Sequence, residues 1–126
     1  MHRQLITVLF GFMLLLPAVA GAVADEDFKV NNTQSLVNLC IAPQDDPRYG
    51  EAIHFCHGYL VGAFHYYKAT HAAPDSKPLF CLPDPPPSRN DTIGRFISWA
   101  KAHPQYMNEV PVETEFRFLV ETWPCK

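Results

Sequence analysis

Apolar positions along the chain fall into one long run and four helically spaced blocks, with polar and proline-rich stretches between them. The run from Leu5 to Leu16 carries no charge, follows His2 and Arg3, and ends at Pro17. Ala22, Val23 and Ala24 then precede the acidic Asp25, Glu26 and Asp27. This order predicts a secretory leader over residues 1–24, cleaved after Ala24 at an A-x-A site. The run is shorter than the ~20 residues that a bilayer span requires. The expected mature domain is residues 25–126, and no second long apolar run follows.

The remaining blocks read as helices. Thr33 is placed to cap a short one in which Leu36, Val37, Leu39 and Cys40 form the apolar side. Pro43, Asp45, Asp46, Pro47 and Gly50 make a turn. A second helix, from about Glu51 to Lys68, puts Ala52, Ile53, Cys56, Tyr59, Leu60, Ala63, Phe64 and Tyr67 on one broad face at 100° per residue. Cys56 therefore points into the core.

"APDSKPLFCLPDPPP" follows, with six prolines between Pro74 and Pro87. Proline fixes φ and removes a backbone donor, so this is an extended connector rather than a helix interior or a central strand. Ser88 with Asp91 three residues on marks the start of a third helix, which carries Ile93, Phe96, Ile97 and Ala100 and closes at His103 and Pro104. Asn108 is the expected cap of a fourth, with Pro111 in its first turn and Val112, Phe116, Leu119, Val120 and Trp123 facing inward. The expected fold is all-α: a small four-helix domain with a proline-rich connector between helices 2 and 3.

Charge narrows the partners. The formal net charge is −3, and loss of Arg3 with the leader makes the domain one unit more negative. A nucleic-acid binder needs a basic stripe, and none is present. Cys40, Cys56, Cys81 and Cys125 all lie in the exported part, and an even count in a small exported domain reads as two disulfides. Three pairings are open. Proximity in the predicted layout favours Cys40 with Cys56, joining consecutive helices near their turn, and Cys81 with Cys125, tying the connector to the C-terminus.

Within the second helix, "FCHGYLVGAF" places Gly58 and Gly62 four apart beside His54 and His65. Each glycine costs about 1 kcal/mol relative to alanine in a helix interior. Close approach of another backbone would offset that, and an approach from within the same chain is favoured over a dimer seam. His54 and His57 share a helix face, but no CxxC or HExxH supplies further ligands for a metal. There is no GxSxG and no phosphate-cradling glycine loop, and an oxidised cysteine offers no thiolate. The carboxylate pairs Asp45/Asp46 and Glu113/Glu115 are expected in a turn and on an outer helix face. No catalytic residue, metal or cofactor is assigned.

The order "LVNLC", "AIHFCHGYLVGAF", "FCLP", "AKAHP" and "TWPC", from about Leu36 to Cys125, resembles the Rap/Tai family of type VI secretion amidase immunity proteins. The "DPPPSRND" stretch and Gln105 to Val110 depart from that pattern, at loop positions. The resemblance implies a small helical periplasmic protein with disulfides, in some members dimeric, that binds a peptidoglycan amidase effector and blocks its active site. Asp45, Asp46, Asp75 and Asp84 are the acidic groups expected to meet a basic rim on such a partner. Two other readings stand beside this one. Five histidines in residues 25–126 suggest a periplasmic stress or chaperone-like protein whose charge rises as pH falls. The third reading is a small hydrolase or metal carrier.

Overall fold

The computed structural model describes residues 22–126, so all but the end of the expected leader lies outside the described residues. A 3-10 turn, Asp25–Lys29, leads into α1 (Thr33–Cys40), α2 (Tyr49–Thr70), α3 (Arg89–Ala102) and α4 (Pro111–Thr122), with a second 3-10 turn, Pro104–Tyr106, between α3 and α4. The fold is all-α, with no strand among the described residues.

Burial explains the packing. α1 contributes Leu36, Val37 and Leu39, all within 1 % of full burial. It sits against α2 and the first 3-10 turn, and also touches α3 and α4, while α3 packs on α4. Around α1 close Ala52, Cys56 and Leu60 from α2, Ile93, Phe96 and Ala100 from α3, and Phe118 and Leu119 from α4. The expected apolar face of α2 is therefore the one that packs. Cys40 joins Cys56 across the α1–α2 turn, and Cys81 joins Cys125. The loops they close span 16 and 44 residues. Restricting the unfolded chain in this way stabilises by about 3 and 4 kcal/mol respectively on the loop-closure model.

The connector is extended and largely exposed, but it is pinned at two points. The Tyr67 hydroxyl accepts the Leu79 N–H at 2.9 Å, and the Tyr67 ring stacks on the buried Phe80 with centroids 5.1 Å apart. Cys81 N–H then donates to the Trp123 carbonyl at 2.8 Å, beside the second disulfide. The Asp84–Pro85 peptide is cis.

Three local expectations change. Asn32, not Thr33, caps α1, its side chain accepting the Ser35 N–H at 2.9 Å. Thr33 is the first helical residue and is fully buried. Its N–H donates to the Glu109 carbonyl at 2.8 Å and the Gln34 N–H to the Met107 carbonyl at 3.0 Å, so the link before α4 satisfies donors that helix geometry leaves open. Asn108 does not cap α4: Val110 holds the N-cap position, with no side-chain bond, and Pro111 needs no partner for a missing N–H. The inward face of α4 is also rotated from the expected one. Val112 and Val120 are 37 % and 39 % exposed, whereas Thr114, Glu115, Phe118 and Leu119 are buried.

Candidate functional site

The face that α4 turns inward lines a cleft shared with α2, α3 and the connector. Pro86 and Pro87 of the connector lie over the space between α2, α3 and α4, leaving a cavity of about 330 Å³. Its walls are apolar: Leu60 and Phe64 from α2, Leu82 from the connector, Ile93 from α3 and Leu119 from α4. His65, Lys68 and Arg89 stand exposed along it. Lys68 Nζ lies 5.8 Å from the centroid of the Phe64 ring, so its stem follows the apolar wall while its charge stays in water.

Glu115 lines this cleft and is 5 % exposed. Its Oε2 has no hydrogen-bond partner. Burial without a partner disfavours the charged form and pushes its carboxyl up to about 8. At neutral pH the cleft therefore holds a protonated acid, not an anion, and it can receive an apolar group without leaving a charge unpaired beside it. Nearby Tyr59 is also pushed up, by burial first, with the Glu115 charge adding to it.

The four cysteines meet in pairs as the predicted layout favours. Gly58 and Gly62 are exposed, and among the described residues nothing beyond the adjacent helix backbone would lie within 4 Å of a Cβ at either position. Among the described residues, neither the connector nor α4 comes within contact distance of these two positions. Phe55 and Tyr66, 39 % and 74 % exposed, flank the open strip, and His54 and His65 are exposed beside it. His57 is half-buried, and burial, followed by the charges of Arg89 and His54, lowers its pKa. No metal-like cluster of three or more His, Cys, Asp or Glu occurs among the described residues.

The acidic residues separate into two kinds. Asp45, Asp75 and Asp84 are exposed, in the α1–α2 turn and at two points of the connector. Asp46 is committed internally: Oδ2 accepts the Val23 N–H at 2.9 Å and Oδ1 the Arg48 N–H at 2.8 Å. These two bonds hold its carboxyl below the usual range. Asp46 is therefore half-buried and occupied by two backbone donors of its own chain.

Sequence reasoning placed Glu115 on the outer face of α4, and the structure overturns that. Hydropathy alone favours valines inside and a glutamate outside. The one available signal was spacing, since Glu115 falls between Phe118 and Pro111 on the stripe that the buried Leu119 also shares.

No curated protein and no solved structure matches the chain. A family model, Rap1a immunity proteins, matches residues 32–125, from the cap of α1 to the last cysteine. That span takes in all four helices, the connector and both disulfides. The chain belongs to the Rap1a immunity protein family.

Proposed function

We propose that this protein is exported to the periplasm, where it binds a peptidoglycan amidase effector delivered by type VI secretion and blocks its active site without itself being an enzyme. The observation that carries the reading is the family match across the entire helical body. Both disulfides agree with an oxidising compartment. They also limit the conformational freedom that binding would otherwise have to remove, which favours a rigid inhibitor. Asp45, Asp75 and Asp84 remain exposed on loops, where they can raise the encounter rate with a basic rim around a cleft.

The test is reconstitution. The oxidised domain, mixed with an amidase encoded beside it, is expected to co-elute as one complex and to abolish peptidoglycan cleavage. Charge reversal at Asp45, Asp75 and Asp84 together is expected to slow association and weaken its salt dependence. Full amidase activity at saturating inhibitor would overturn the reading. The open strip at Gly58 and Gly62 supports a homodimer as a secondary feature, read by sedimentation over a range of concentrations.

A further inference from the structure

The expected cleavage after Ala24 would remove two residues that the fold uses. Val23 is half-buried and packs against the core, and its N–H donates to Asp46 Oδ2 at 2.9 Å. The Ala24 N–H donates to Asp27 Oδ2 at 3.2 Å, and its carbonyl accepts the Asp27 N–H at 3.1 Å, closing the first 3-10 turn. Asp27 is 8 % exposed, and its other oxygen accepts from Asn38 of α1 at 3.0 Å. Without Ala24, a buried carboxylate oxygen loses its donor, a loss that destabilises folded proteins. Ala22, by contrast, is exposed. The sequence offers a second small-x-small site two residues upstream, Ala20-Gly21-Ala22.

We infer that the leader is removed after Ala22, and that the new α-ammonium of Val23 forms an ion pair with Asp46 that fastens the N-terminus to the α1–α2 turn. This rests on the export reading above. Water adds across the Ala22–Val23 peptide bond; the carboxylate leaves with the leader and the ammonium stays on Val23. The atom that donates as an amide N–H becomes a cationic donor at the same carboxylate, a shorter and stronger type of bond. The surrounding charges permit this. Arg48 also faces Asp46, but its guanidinium is engaged by Asp25 and Glu51. Asp27 is occupied by Ala24 and Asn38.

The experiment expresses the whole chain, recovers the exported protein and determines its N-terminus by sequencing and intact mass. A chain beginning at Val23 is expected. Ala24→Leu should be processed at the same bond, whereas Ala20→Leu, which places a bulky side chain at the upstream small position, should block processing. In the exported product the Val23 α-amine should titrate above the ordinary range of an α-amine, because the Asp46 carboxylate favours its charged form, and Asp46→Asn should return it there. A chain beginning at Asp25, normal processing of Ala20→Leu, or an unshifted α-amine would each overturn the inference. Amidase inhibition measured on the same preparation reports on the proposed function alone: its loss in a chain beginning at Val23 would count against that function and leave the cleavage site standing.

Discussion

The Thr33 hydroxyl lies 2.7 Å from the Thr114 hydroxyl, both fully buried and 81 residues apart in sequence. Thr33 also donates to the Glu109 carbonyl at 3.1 Å, so the first turns of α1 and α4 and the link before α4 meet at one polar point inside the core. Glu109 is held in turn by Arg117, whose guanidinium lies 4.4 Å from the Tyr106 ring centroid. Thr114→Val is expected to lower unfolding free energy by about 1–3 kcal/mol, because it leaves buried groups without a partner. The Thr33→Val/Thr114→Val double variant should cost less than the sum of the singles, measured by denaturant unfolding.

Glu115 makes stability fall as pH rises. Its carboxyl titrates near 4.5 when unfolded and at about 8 when folded, so between those values the folded state alone holds the proton. The stabilising contribution is complete below about 4.5 and is lost progressively until about 8, at a limiting slope of about 1.4 kcal/mol per pH unit. Glu115→Gln should remove that component and be more stable than the parent at pH 8. Thermal melts of both proteins from pH 5 to about 9 will read the difference.

The two disulfides should respond differently to reductant. Cys81 and Cys125 are exposed, whereas Cys56 is fully buried and Cys40 is 8 % exposed. Under native conditions a graded thiol titration with alkylation and peptide mapping should open Cys81–Cys125 first. Loss of that bridge through the paired Cys81→Ser/Cys125→Ser change is expected to lower stability by about 4 kcal/mol.

Gly58 and Gly62 face open space on α2, so alanine meets no obstacle there. Gly58→Ala and Gly62→Ala should each stabilise the isolated protein by up to about 1 kcal/mol through reduced backbone freedom in the unfolded chain. That corresponds to a rise of several degrees in melting temperature.

Much of the architecture was legible along the chain because it depends on local rules. Helical spacing marked α2, and Ser88 caps α3 as read, accepting the Asp91 N–H at 3.1 Å. Proline chemistry kept residues 73–87 out of any helix, and helix adjacency brought Cys40 to Cys56. The misread positions depend on neighbours distant in sequence. Asn108 was a sound cap by residue type, but the backbone bends so that Val110 takes that place. Asp46 accepts from Val23, 23 residues earlier in the chain, a bond that no local rule reveals.

By itself, the sequence determined four helices, a rigid connector and two covalent braces, because backbone propensity, proline geometry and cysteine proximity act over short separations. Only the tertiary structure decided which face of α4 turned inward, burying Thr114 and Glu115 in place of Val112 and Val120. The reason is that Thr114 finds its partner on α1, and the helix that satisfies this hydrogen bond carries Glu115 into the cleft with it. It also left the glycine strip of α2 uncovered among the described residues, because how far α1, α3, α4 and the connector wrap around α2 is set by long-range packing and not by the local sequence.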